Sequence, residues 1–565
     1  MARAIAGAFV VAACAPSPAP QSAASPSAPA KPKTLTVGVT TQLQSMGAIA
    51  GQSVGGWTTL TELHSAGLIT SDVDSPRPTG RLAQNVPSLD DGTISMLPDG
   101  RMRAIYRLRH DVTWQDGAPF TAQDLAFSQT LLADKGLPIT LRDGAQRIDR
   151  VQAIDDFTAA FDFRQPYYLA NQLGLRTFWP QPYHLLGDAY ERYRATGNAD
   201  EVVNRPYWTS DYVHLGAFQV SAFDPGEGIT LQAYGGFFLG KPKIDTISVR
   251  VFRDEATLLA SLFAGAVDLF PDPALQGQLA SDLRQRWAAD GGGTVFSRAG
   301  PTYFLSPQWR PGVQREPANL DVRVRQALYQ AIDREGLSEL VEPAWSLIPP
   351  GDPLYEATQD GLRRYPYDPA RSRALLQEAG WTAGPDGALV NGSDGRRFHN
   401  TLSTVDSGRL WEVAAYADFW RRTGLEVDEV QTPAAQARDL EFRANYPSWE
   451  VTSAGEGDAI LHRLEGPAAS AENRWSGNRG GYAEPATQQL LARYYGSLTD
   501  RDQAQAMHDL SERVATELPI LITYYDTHYL GVRSAVRALG DIAGGQDASR
   551  PYGTYSRNAY LWDLG

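Results

Sequence analysis

The residue types that carry most protein chemistry are sparse in this chain and poorly spaced for catalysis. Eight histidines are scattered through 565 residues. None pairs with another at i, i+3 or i, i+4, the spacing that sets two imidazoles on one helix face for a metal. Each reads as a surface or core residue, so no metal is expected. There is no Walker A loop, no H-E-x-x-H, no G-x-S-x-G and no C-x-x-C. Gly235-Gly236 and Gly291-Gly292-Gly293 lack the G-x-G-x-x-G spacing of a phosphate cradle, and no cofactor is expected. Carboxylates are too numerous for spacing to single out a glycosidase-like pair. A secreted hydrolase using a carboxylate pair stays open as the alternative of a different class, on the acidic, aromatic-rich composition alone. The missing centre favours a binding protein over an enzyme.

One residue has a chemistry set by its position. Cys14 is the single cysteine, which excludes an internal disulfide and any Cys-based zinc site. Ahead of it runs one basic residue, Arg3, then an apolar stretch from Ala4 that ends Val11-Ala12-Ala13. Small residues before a cleavage point suit a signal peptidase, and so short a run cannot span a bilayer. The segment resembles a bacterial lipoprotein signal, an aliphatic residue and two small ones before Cys. That implies a diacylglycerol-modified Cys14 as the first mature residue; otherwise Cys14 is an ordinary buried cysteine, or the signal is cut elsewhere. Residues 15–33 are dense in Pro, Ala and Ser and cannot bury enough apolar surface to order themselves, so they read as a tether.

The elements that must position any site begin at Thr34. Lys and Arg number 51 against 65 Asp and Glu, a net charge of −14, which excludes a nucleic-acid binder in need of a basic stripe. Leu35, Val37 and Val39 alternate with polar residues as a half-buried strand. Met102, Ala104, Tyr106 and Leu108 form a second, with Arg101, Arg103, Arg107 and Arg109 on its other, solvated face. Asp116-Gly117 signals a turn, and Thr121 to Asp124 a capped helix start. Ile247, Val249 and Val251 alternate ahead of a helix capped by Asp254. Asp321 caps a helix with an apolar face of Val324, Ala327, Leu328, Ala331 and Ile332. Asp368-Pro369 and Gly380 bracket another. A helix through Met507 and Leu510 stops at Pro519, and Ile520 to Tyr525 follows as a strand. The fold class is α/β.

The segment Tyr106 to Asp124, which holds Leu108-Arg109, Val112-x-Trp114-x-Asp116-Gly117-x-Pro119 and Thr121-Ala122-x-Asp124, then Phe127-Ser128, resembles a signature of a known family. That family is the extracellular solute-binding proteins of family 5, from peptide and nickel ABC importers. The likeness continues through Gly67-Leu68, Pro166 to His184, Gly240 to Asp245, Ala264 to Asp268, Asp321 to Arg334 and Tyr367 to Trp381. It implies a periplasmic-binding-protein-like type II fold of cluster C, two lobes with a cleft and a hinge. Domain I would comprise 34–55, 207–299 and 523–565, domain II 56–206, and domain III 300–522. It also implies a monomer, lipid-anchored on the periplasmic or extracellular face of the cytoplasmic membrane, that passes a peptide or other organic solute to an ABC permease.

Peptide-binding members hold the ligand's amino terminus with an Asp after a Gly-Trp step. Here Glu456 follows Gly455 where that Trp would stand, and Asp458 is the carboxylate that survives; otherwise both acids lie on a solvated loop. The segment His214 to Phe218 also departs from the family pattern, which leaves peptide, sugar and metal complex open as ligand. Trp57 and Trp475 fall where members line the cleft, or else belong to the core. Arg474 would face a ligand carboxylate as a fork donor, or be a surface arginine.

Overall fold

A computed structural model describes residues 1, 7, 32–49, 55–74, 77–139, 143–337, 341–437, 439–455, 457–475, 477–540 and 554–565. Cys14, Glu456 and residues 15–31 of the expected tether lie outside the described residues. Lys33, expected in the tether, is already fixed to the fold: its backbone N donates to Asp245 at 2.8 Å and its carbonyl accepts from Asp245 and Thr246. No helix among the described residues is long and apolar enough to cross a membrane.

Alternation of strand and helix builds one eleven-stranded sheet. In spatial order it holds β13 (Glu426–Gln431), β12 (His399–Thr404), β14 (Trp449–Ala454), β10 (Gly293–Pro307), β15 (Leu521–Arg533), β9 (Leu269–Phe270), β1 (Thr34–Val39), β8 (Thr246–Val251), β7 (Gly228–Ala233) and β6 (Phe218–Asp224). Strand β11 (Glu342–Pro343) pairs with β15 off this path. A separate four-stranded sheet carries β2 (Ile94–Met96), β3 (Met102–Arg107), β5 (Thr158–Phe163) and β4 (Ile148–Asp155).

Strand β15 runs well past the Ile520 to Tyr525 expected, and β10 is a long strand that the sequence reading did not mark. The first half of β10 pairs antiparallel with Thr527–Arg533, and its second half with Leu521–Tyr525 and with β14. The register shifts between Ala299 and Thr302, where Gly300-Pro301 removes one ladder donor. The buried side chains divide at this place. One core, which includes Leu35, Tyr106, Trp114 and Trp208, draws on residues up to Leu269 and from Leu530 onward; a satellite beneath helix α2 (Glu255–Phe263) adds Val295 and Tyr529. The other core draws on Phe304 to Tyr525 in two adjoining clusters. We call these the first and second cores.

The signature segment works as a staple in the first core. Thr121 and Asp124 cap α1 (Ala122–Ala133) reciprocally. Buried Asp124 also accepts from the Trp114 indole at 3.3 Å and from Tyr183 N at 3.0 Å, which fixes the segment ending in His184. Next to it, the Gln115 amide donates to Gly216 O and Phe218 O at 3.0 and 2.9 Å. Gly216 has to be glycine, since a Cβ there would meet the His64 carbonyl carbon at 2.2 Å and Ser65 N at 2.4 Å, both backbone. We therefore expect Gly216→Ala to cost about 1–3 kcal/mol in urea denaturation. An unchanged midpoint would mean that the two backbones separate freely.

Candidate functional site

Where the two cores meet away from β10 and β15, polar groups stand beside aromatic ones, with the Tyr168 ring 5.2 Å from that of Tyr494 and 6.1 Å from that of Tyr495. Asp458 sits on the short 3-10 turn after β14, half-buried. Its Oδ2 accepts two hydroxyls: that of Tyr168, which lies against both cores, and that of Tyr494, on α7 (Pro485–Gly496), at 3.0 Å. Burial, then the Asp458 charge, pushes both tyrosines well above their usual range, so they remain donors. Oδ1 has no hydrogen bond from any described residue. Tyr168 N also donates to Tyr495 O at 2.9 Å.

Beside this contact Arg147 donates to Glu465 at 2.9 Å, with its guanidinium 4.2 Å from the Tyr495 ring centre and 5.1 Å from that of Tyr167. These groups border a cavity of about 340 Å³. Burial alone would raise the Glu465 carboxyl, but the bond from His462 and the Arg147 charge outweigh it and hold the group at about 2.

A second polar group lies along the long strands. Tyr303 stacks on Tyr524, with centroids 4.5 Å apart, and donates to Asp526 at 3.1 Å. The Arg409 guanidinium sits 3.9 Å from the Tyr303 ring centre and donates to Ser453 Oγ at 2.8 Å. Burial lifts Glu412 to about 7, against the opposing Arg409 charge. A cavity of about 440 Å³ draws its lining from both sides of this region, with Glu255, Gln276 and Tyr529 opposite Trp411. None of these was singled out from sequence; the one available signal was the run of aromatics and an acid, Tyr524-Tyr525-Asp526, at a strand end.

The residues expected at a binding site do not converge. Trp57 is 1% exposed in the first core, and its indole donates to Thr41 O at 2.6 Å. Trp475 is half-buried beneath Arg310, whose guanidinium is 5.7 Å from the ring centre. Arg474 is exposed, and both it and Trp475 take left-handed backbone, φ 56° and 59°. No hydrogen bond, ring contact or ion pair joins Trp57, Arg474 or Trp475 to Asp458 among the described residues. The arginines of β3 and its flanks mostly face carboxylates: Arg103 holds Asp162 at 2.6 and 3.0 Å, and Arg101 and Arg109 hold Asp99 and Asp111. Burial drives His64 and His214 to about 3, so both stay neutral core groups. Among the described residues no group of three metal-ligating side chains occurs.

Two cores joined through paired strands thus leave polar groups and cavities where they meet. The family model for bacterial extracellular solute-binding proteins, family 5 (middle region), matches residues 88–473, more than half of the chain, and the chain belongs to that family. Its members bind solutes and do not convert them. Among curated relatives, protein XP55 of Streptomyces lividans is 25% identical over 439 residues, covering 76% of this chain and 74% of that one. Oligopeptide-binding protein AppA of Bacillus subtilis is 21% identical over 453 residues, 77% of each. The fold is that of the oligopeptide-binding protein of Thermus thermophilus complexed with a pentapeptide, with TM-score 0.74, 21% identity, and 94% of this chain and 96% of that one covered. It is equally that of NikZ from Campylobacter jejuni in complex with Ni(L-His), TM-score 0.70, 18% identity, 94% and 100% covered. This is the periplasmic-binding-protein type II architecture.

Glu465, held by His462 and Arg147, carries a pH signature. Glu465 is depressed on folding, so its contribution is complete above its ordinary value near 4.5 and is lost as pH falls from there through about 2. Acid unfolding of wild type should therefore steepen between pH 4.5 and 2 relative to Glu465→Gln. Parallel curves would remove Glu465 as a contributor.

Proposed function

We propose that this chain is the capturing subunit of an ABC importer and that its solute is a peptide. Domain I (34–55, 207–299, 523–565) and domain II (56–206) form one lobe around the first core; domain III (300–522) forms the other. β10 and β15 serve as the hinge, and the solute binds the closed arrangement better than the open one, which shifts the population. Closure presents both lobes to a membrane permease, and the protein acts as a monomer.

The observation that carries the reading is Asp458. Two tyrosines pin one of its oxygens at the meeting of the cores and leave the other to a ligand. An ammonium entering a closing cleft needs such a carboxylate, since an unpaired buried charge is costly. The likenesses to oligopeptide-binding proteins support the same class of solute. Lipidation of Cys14, within 1–14, would anchor the protein at the membrane, with two or more acyl chains needed for stable attachment.

Isothermal titration with short peptides tests the ligand. Asp458→Asn should weaken free-amino peptides more than tenfold and leave their N-acetylated forms unaffected; equal loss for both would remove Asp458 as the ammonium partner. For the anchor, Cys14→Ala should move the protein from the membrane fraction to the medium or periplasm and abolish a diacylglyceryl mass shift. Unchanged partitioning would overturn it.

A further inference from the structure

We infer that the second core carries an anion subsite, a cavity beside Arg443 that takes the carboxylate of a partly apolar organic acid. This rests on the solute-binding reading only in taking that acid as part of the captured solute; its evidence does not involve Asp458.

The cavity measures about 390 Å³, and its lining includes Thr404, Val430, Thr432, Phe442, Arg443 and Glu450. It lies at the carboxyl ends of parallel strands β12 and β13. From β12 the chain runs through α5 (Leu410–Arg421) to β13 on one side, while β14 pairs parallel along the other side of β12. Connections that leave a strand in opposite directions open a crevice beyond its end, and open α/β sheets bind ligands in such crevices.

The charges around it decide the ligand class. Arg443, Arg463 and Arg479 are near enough to act on one another, and Glu450 is the carboxylate set among them. Glu450 is 3% exposed and already taken by Arg479, at 2.7 and 2.9 Å. The Arg463 guanidinium finds a backbone carbonyl, Ser453 O at 3.2 Å, and the Phe304 ring at 5.9 Å. The Arg443 side chain makes no hydrogen bond or ion pair with any described residue, and its Nε is buried without a partner. Burial, reinforced by Arg479, lowers Arg443 and brings Arg463 down to about 10. Three guanidiniums thus act on one carboxylate, and of the three Arg443 is the one that lines the cavity. The other acids of the lining lie outside this group: Asp439 accepts from Phe442 N at 3.0 Å to cap α6 (Leu440–Ala444), and Glu441 is exposed.

A half-buried guanidinium without a partner is costly, and a planar carboxylate matches its fork. The rim adds the second requirement. Val430 and Phe442, both in the lining, are 41% and 40% exposed. Apolar surface gathered around a charged floor suits an acid with a hydrocarbon portion better than a small inorganic anion.

Titration of the solute-free full-length protein with hexanoate and with hexanamide tests the subsite. Hexanoate should bind at least tenfold tighter than hexanamide; Arg443→Gln should weaken it at least tenfold, and Arg443→Lys should restore part of the loss. In crystals of the wild-type protein soaked with 6-bromohexanoate, the anomalous bromine peak should fall in this cavity, a result that does not depend on the variants folding. Equal affinity for acid and amide, indifference to Arg443→Gln, or bromine bound only elsewhere would overturn the subsite. If peptides fail to bind while hexanoate binds as described, the peptide reading falls and the subsite stands; the reverse pattern removes the subsite alone.

Discussion

The antiparallel pairing of β10 with β15 is the constraint on which the rest of the structure depends. Each strand starts in one hydrophobic core and ends in the other, so one strand pair, from Gly293↔Arg533 to Leu305↔Leu521, ties two separately buried bodies together. A strand pair of this kind resists stretching but tolerates twisting, most of all where the register slips at Gly300-Pro301. Each core is close-packed and deforms little. In the closure we propose, relative motion is therefore channelled into the connecting strands, and the groups facing one another across the meeting of the cores are those whose spacing would change.

Those groups suit a reversible contact. An apolar seam would cost roughly 25 cal/mol for each Å² exposed on opening and would hold the bodies shut. Here the apolar part is small, the ring contacts of Tyr168 with Tyr494 and Tyr495, and beside it stand the Tyr168 hydroxyl–carboxylate bond, a backbone bond, and an ion pair whose side chains are 27% and 29% exposed. Partly solvated pairs of that sort contribute about 0–1 kcal/mol each. A solute that adds even one buried, charge-assisted bond is then enough to shift the balance.

Local elements were legible in the sequence because their determinants are local. Thr121, Asp254, Asp321 and Asp368 each cap the helix that their spacing indicates, and β1 and β8 follow their alternation. The full length of β15 was hidden: beyond Tyr525 it is buried on both faces against residues distant in sequence, so no period-two pattern marks it. The same reason conceals the site. Arg443, Arg463 and Arg479 meet around Glu450 only through folding, as do Tyr168 and Asp458, 290 positions apart. A lone aromatic leaves two readings open in sequence, cleft wall or core, and folding places Trp57 in the first core.

Whether the strand pair acts as a hinge is decided by the distance between the two bodies, with and without solute. On a Cys14→Ala background, spin labels at Ile154→Cys in β4 and Leu440→Cys in α6, both exposed positions, would report it by pulsed electron resonance. A hinge gives a broad distribution that narrows and shifts when a peptide that binds is added. A single distribution, identical in both states, would contradict it.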